Sequence, residues 1–97
     1  MLSEAELEAR IQAMADAHYG PGTIIEVHCK RDEDHVGDPV VWVRFVAKDG
    51  AMPFDPEGQV SFSLALRLAF DDWGDPAYPV SFFNPVSEYR KLFPAAA

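Results

Sequence analysis

Two apolar runs separated by a charged segment are the feature that most limits how this chain can fold. Residues 23–31 and 40–47 are rich in β-branched and aromatic side chains, and apolar and polar residues alternate along both runs. This alternation is typical of strands that place one face on a core. Because the joining segment is short, the pattern predicts an antiparallel hairpin. In the first strand, Ile25, Val27 and Cys29 are predicted to face the core and Ile24 the opposite side.

A helix is predicted before the hairpin. Ser3 and Glu6 have the spacing of a capping box, in which a hydroxyl and a carboxylate each accept a hydrogen bond from a free backbone N–H. Apolar residues then recur at helical spacing, which predicts a helix over residues 4–18 with one side facing the core.

A second helix is predicted after the hairpin, over residues 56–73. Asp55 and Pro56 have the order expected for an N-cap and a first helical position. The apolar residues of this segment also alternate as they would in a strand, but its length and its cap favour a helix.

The C-terminal third is predicted to form a short strand and a short helix. Residues 78–83 have strand character, and Pro79 favours an edge position because proline donates no backbone hydrogen bond. Asn84 is predicted to cap a helix over residues 85–92, and residues 93–97 are predicted to be a frayed tail.

The predicted order is therefore α-β-β-α-β-α within a single domain of residues 1–97. A strand–helix–strand crossover is right-handed and joins parallel strands when both lie in one sheet. The predicted fold class is α+β, a two-layer sandwich in which a small three-stranded sheet carries helices on one face.

Composition narrows the classes of function. The net charge of −8 opposes nucleic-acid binding, which depends on Lys and Arg, and favours protein partners with basic surfaces. Cys29 is the only cysteine, so no intramolecular disulfide can form. No apolar run approaches the ~20 residues of a membrane span, and the acidic N-terminus is unlike a signal peptide. These features predict a reduced, cytoplasmic protein without a membrane association.

The segment between the two strands, residues 31–39, is the first candidate for a functional site. It holds four carboxylates, and its Arg31 and His35 are predicted to pair with them. One interpretation is a rigid acidic recognition loop in which aspartates bond to backbone N–H groups. The alternative is a divalent-metal site, which could also be a hydrolytic centre, because carboxylates and imidazole are suitable ligands for divalent metal ions. The residues of that alternative site are Asp32, Asp34, His35 and Asp38.

Two further segments are candidates for binding. The strand beginning at Tyr78 is rich in aromatic residues and proline, so it is either a docking edge or core, with Val80 and Phe82 facing inward and Phe83 covering a helix. Trp42 is equally compatible with core and with an interaction surface. The residues predicted to form the binding surface are Arg31, Asp32, Glu33, Asp34, His35, Asp38, Trp42, Tyr78 and Phe83.

No pattern typical of a common enzyme class is present: the sequence lacks a Ser-His-Asp order, a CxxC pair, a phosphate-binding loop and a G-x-G-x-x-G motif. Cys29 shares a strand face with apolar residues, which favours a small buried side chain over a nucleophile. No catalytic residue and no cofactor is predicted apart from the alternative metal ion.

The charged hairpin and the Tyr78–Phe82 segment resemble a group of short bacterial proteins that have no established activity. The group has an R-x-E-D-H-x-G-D-P hairpin, which here is Arg31–Pro39, and an F/Y-P-x-x-S-F-type segment near the C-terminus, to which Tyr78–Phe82 is similar but one residue shorter between the proline and the serine. The resemblance implies a product encoded beside a larger partner, as accessory or antitoxin-like proteins are. Together with the charge, it leads to the hypothesis of a small interaction domain that binds a basic protein partner through the acidic hairpin. Homodimerisation through the Tyr78–Phe83 edge is compatible with this hypothesis.

Overall fold

Within residues 1–94, three helices and three strands follow one another in the predicted order. The computed structural model describes residues 1–94. Its elements are α1 (Glu4–Tyr19), β1 (Ile24–Glu33), β2 (Pro39–Ala47), α2 (Pro56–Asp72), β3 (Tyr78–Pro85) and α3 (Val86–Leu92). The last three residues of the predicted tail lie outside the described residues.

The sheet has the order β1-β2-β3, with β2 in the centre. β1 pairs antiparallel with β2 and β3 pairs parallel with it, which confirms the hairpin and the parallel third strand at an edge. The hairpin pairing continues to Glu33 opposite Pro39. Asp32 and Glu33 therefore belong to a strand, and the turn is shorter than the predicted loop.

A β-bulge changes which residues of β1 face the core. The register slips between Ile24 and Glu26, so Ile24 is buried together with Val27 and Cys29, whereas Ile25 is exposed. The prediction that Ile25 faces the core and Ile24 faces away is wrong. One extra residue on a bulged strand shifts the alternation of side chains by one position, and the sequence alternation does not reveal it.

The core lies between the sheet and the two long helices. It contains Leu7, Ile11 and Ala15 of α1, Val41, Val43 and Phe45 of β2, and Phe62, Leu66 and Phe70 of α2. Each large apolar side chain that is fully buried contributes about 1.5–3 kcal/mol by leaving water. This packing confirms the two-layer α+β sandwich.

The short helix α3 lies against the other face of the sheet. The Tyr89 ring stacks on the His28 ring of β1 with centroids 5.3 Å apart, and Arg90 Nη2 lies 2.5 Å from Glu26 Oε2. The prediction of helices on one face therefore applies to α1 and α2, and α3 covers part of the opposite face.

The helix starts follow the predicted caps in two of three cases. Ser3 Oγ accepts a hydrogen bond from the Glu6 N–H, and Glu6 Oε1 accepts one from the Ser3 N–H, each at 3.1 Å. Asp55 Oδ2 accepts from the Gly58 N–H at 3.0 Å. The predicted cap at Asn84 is wrong, because β3 continues to Pro85 and keeps Asn84 within the strand.

Polar side chains of α1 bond to the outer edge of β1. Glu8 Oε2 accepts a hydrogen bond from the Cys29 N–H, and Glu4 Oε2 accepts one from the Arg31 N–H, both at 2.8 Å. Gln12 Nε2 donates to the Ile24 carbonyl oxygen at 2.7 Å. The three side chains that make these bonds are spaced four residues apart on one helical face: Glu4, Glu8 and Gln12. They pair backbone groups that another strand would otherwise use.

Candidate functional site

The turn of the hairpin is organised by Asp34. Its Oδ1 accepts hydrogen bonds from the Val36 N–H at 3.0 Å and the Asp38 N–H at 2.9 Å. Its backbone N–H donates to the Asp38 carbonyl oxygen at 2.9 Å, and Gly37 has the positive φ of 88° that the turn needs. His35, Val36 and Asp38 are exposed on this tip. The side chains at the tip are therefore presented by a hydrogen-bonded turn.

The structure does not bring Asp32, Asp34, His35 and Asp38 together as a metal site. Within residues 1–94, no group of three or more His, Cys, Asp or Glu side chains is arranged to hold a metal ion. The physical reason is that Asp34 uses its carboxylate to close the turn, while Asp32 lies back in β1.

Asp32 connects the hairpin to the solvent-facing side of the sheet. Its carboxylate accepts hydrogen bonds from the Glu33 N–H at 2.8 Å and from Trp42 Nε1 at 3.1 Å. These bonds, the backbone bond foremost, lower the pKa of Asp32 below its usual value. The charged carboxylate holds the half-buried Trp42 ring beside the hairpin.

Arg31 does not pair with the acids of the hairpin, so that prediction is wrong. Its guanidinium donates to both carboxylate oxygens of Asp75, with Nη2 2.5 Å from Oδ2 and Nη1 3.2 Å from Oδ1, and also to the Leu2 carbonyl oxygen. Asp75 is only 4% exposed, and the bond to Arg31 lowers its pKa. Arg31 lies on the face of β1 that is directed towards the core, and this orientation places its guanidinium beside Asp75. The exposed His35 makes no hydrogen bond or ion pair with any residue in 1–94.

The inward orientation of Val80 and Phe82, which the core alternative predicted for β3, is wrong. Phe83 faces the core, where its ring stacks on Phe45 with centroids 4.5 Å apart. Phe82 points to the other face of the sheet and is exposed, and Val80 lies on that face as well. Tyr78 is exposed at the start of the strand. Of the two predicted aromatic site residues on β3, Tyr78 is the accessible one.

An apolar stripe on α2 is exposed, and the sequence did not single it out as a surface. Phe62, Leu66 and Phe70 form the buried face of this helix. The second stripe, at the same spacing of four residues, comprises Val60, Leu64 and Leu68, which are 70%, 56% and 55% exposed. The sequence feature that indicates this surface is the presence of two apolar stripes on one helix, because a helix beside a single sheet buries only one stripe.

The exposed stripe leads towards the hairpin end of the sheet. The Arg67 guanidinium lies over the Tyr78 ring, 5.0 Å from its centroid, and Tyr78 pairs in register with Val40 at the start of β2. At its other end, the stripe borders a groove between α2 and β3 lined by Pro56, Gln59, Val60, Ser63, Ser81 and Phe83. We call the surface of Val60, Leu64, Leu68 and Tyr78 the α2 stripe surface.

Comparisons of the chain with protein-family models, with curated proteins and with solved structures find no match. Among the helices of residues 1–94, none combines the length and apolar character that crossing a membrane demands.

Proposed function

We propose that this chain is a small protein-interaction domain that binds a basic, amphipathic helix of another protein. The observation that carries the proposal is the exposure of Val60, Leu64 and Leu68 as a continuous helical stripe. Amphipathic helices dock through apolar side chains at this spacing. The acidic hairpin near one end of the stripe supplies a surface for basic residues of the partner.

The stripe supplies part of the free energy of binding. Its side chains span two turns, about 12 Å along the helix axis. Covering them would remove their exposed halves from water, worth about 1 kcal/mol for each residue. Tyr78 and the neighbouring groove add contact area at either end. The gain from the three stripe residues is smaller than the roughly 4 kcal/mol that even a millimolar complex requires, so these additional contacts and the charges of the hairpin must supply much of the affinity.

Charge favours a different protein over a second copy as the partner. Acidic residues flank the stripe, Glu57 one turn before Val60 and Asp71 one turn after Leu68. A two-fold antiparallel pair of α2 helices would place Glu57 of one copy near Asp71 of the other, and the net charge of −8 adds to the repulsion. A partner with basic residues at both ends of its apolar face would be attracted instead.

An accessory or antitoxin-like role in a reduced cytoplasm stays a prediction, and so does a homodimer through the β3 edge. Both are compatible with the interaction proposal. Light scattering distinguishes the homodimer, because the α2 stripe surface alone predicts a monomer in the absence of a partner.

Peptide binding tests the proposal directly. The probe is a fluorescein-labelled amphipathic helical peptide with leucines spaced three and four residues apart and lysines on its other face, titrated with the protein by fluorescence polarisation at low and high salt. We expect binding that weakens as salt rises, because exposed charges are screened. Leu64→Ala should weaken it about tenfold, which corresponds to ~1.4 kcal/mol.

Leu92→Ala is the matched control, since Leu92 on α3 is also 56% exposed but lies outside the α2 stripe surface. It should leave the affinity unchanged. Equal losses in the two variants, or equal binding of a leucine–glutamate peptide, would show that the peptide adheres without using this surface.

A further inference from the structure

A second groove lies on the sheet face opposite α1 and α2, beside the end of α3. It has a volume of about 410 Å³, and its walls include His28, Lys30, Trp42, Arg44, Phe82 and Phe93. Ligand sites in proteins are mostly apolar clefts of roughly 300–1,000 Å³ with a few polar groups. This groove therefore has the size and the lining of a site for a small molecule.

Arg44 is the central polar group of the groove. Its guanidinium carbon lies 5.2 Å from the Phe82 ring centroid and 4.8 Å from that of Phe93, and Nη1 donates to Asn84 Oδ1 at 2.5 Å. The ion pairs of residues 1–94 do not include Arg44, although its side chain is half-buried. A guanidinium carries more N–H donors than this single neutral partner uses. A half-buried cation without a counter-ion is stabilised when an anion binds it.

The other charged residues on this face are of both signs. Lys30 forms no ion pair with the described residues, and it lies next to Trp42 in the register of β1 and β2. The carboxylates around the groove make hydrogen bonds to other residues: Glu26 to Arg90 and His28, Asp32 to Trp42 and the Glu33 N–H, and Glu88 to Asn84. None of these carboxylates forms an ion pair with Arg44 within residues 1–94.

We propose that this groove binds a small planar aromatic anion. The ring of the ligand packs against Trp42 and Phe82, whose own rings are 5.9 Å apart. Its carboxylate or phosphate accepts hydrogen bonds from Arg44, and Lys30 contributes a second positive charge. The site is separate from the apolar stripe of Val60, Leu64 and Leu68, because α2 lies on the other side of the sheet, so this inference does not depend on the proposed protein partner.

Titration of the isotope-labelled protein, followed by amide chemical shifts, tests the inference. The probes are naphthalene-2-carboxylate, its neutral carboxamide, and adenosine 5′-monophosphate. We expect the shifts to concentrate on β1, β2 and β3 around Lys30, Trp42 and Phe82. The carboxylate should bind at least about tenfold more tightly than the carboxamide, because charge-assisted hydrogen bonds are lost in the neutral compound.

Arg44→Gln should weaken binding of the anions by about tenfold or more. Arg67→Gln is the matched control, since it removes the same charge from an arginine stacked over Tyr78, away from the groove. It should bind as the unaltered protein does. The same spectra show whether each variant is folded, and Arg44→Lys, which keeps the charge, should retain part of the affinity.

Tighter binding of the carboxylate or of the monophosphate supports the site and identifies which anionic group it prefers. The inference is overturned if no probe binds at millimolar concentration, if the carboxamide binds as well as the carboxylate, or if folded Arg44→Gln binds the anions without loss.

Discussion

Replacing Arg31 with methionine would leave a buried carboxylate without its counter-ion. The Asp75 side chain is 1% exposed and the Arg31 side chain 26% exposed. Removing one partner of a buried ion pair costs about 3–5 kcal/mol. Because Arg31 is partly solvated, we expect the lower end, ~3 kcal/mol, out of a total free energy of unfolding of roughly 5–15 kcal/mol for a domain of this size. The melting temperature should fall by about 12 °C or more.

The loss of folding stability in Arg31→Met should depend on pH. In the unaltered protein, the bond to Arg31 lowers the pKa of Asp75 below its ordinary value of 3.8, so the stabilisation is present above that pH and is lost as the pH falls through the lower, folded-state value. In Arg31→Met, burial without a counter-ion raises the pKa of Asp75, and the folded state gains a proton as the pH falls. The difference in stability between the two proteins should therefore shrink between pH 7 and about pH 4.

Urea unfolding followed by tryptophan fluorescence measures both effects. Arg90→Met is the matched control, because Arg90 and Glu26 have the same N···O separation of 2.5 Å but side chains that are 50% and 30% exposed. Its unfolding midpoint should stay close to that of the unaltered protein, since exposed ion pairs are well solvated. Equal shifts for Arg31→Met and Arg90→Met, or a difference that is constant with pH, would refute the argument that burial of Asp75 determines the cost.

Three further outcomes follow from burial. Tyr19→Phe should leave the stability unchanged or raise it by up to about 1 kcal/mol in thermal unfolding, because the buried Tyr19 hydroxyl has no hydrogen-bond partner among residues 1–94. Leu66→Ala should destabilise by ~2–5 kcal/mol in urea, whereas Leu64→Ala on the exposed stripe should change the stability by about 0.5 kcal/mol or less; similar losses would contradict the assignment of faces. Cys29 should react with a thiol reagent at pH 8 only after unfolding, because burial raises its pKa to about 12; rapid labelling of the native protein would contradict this.

The features predicted well from the sequence are those determined by neighbouring residues. The Ser3–Glu6 capping box and the Asp55 cap depend on groups within one helical turn, and the structure shows both. The hairpin likewise follows from two alternating runs joined by a short segment. Local chemistry therefore predicted the order of elements and the fold class.

The features missed depend on residues far apart in the sequence. Arg31 meets Asp75 only because β1 and the segment after α2 converge, and the acids beside Arg31 in the sequence were the more obvious partners. The two stripes of α2 have equal spacing, so only packing against the sheet decides that Phe62 is buried and Leu64 is exposed. The groove around Arg44 was missed for the same reason, since it combines residues from all three strands with Phe93.

The bonds from α1 to β1 make the sheet a structure that can be extended in one direction only. With the outer backbone of β1 occupied by Glu4, Glu8 and Gln12, a newly added strand finds its place beside β3. If two copies paired through β3, the outer edges of the joined sheet would be the two β1 strands, on which side chains of α1 already bond to backbone groups. Such an assembly would stop at two molecules, whereas a sheet with two open edges could continue into a fibre.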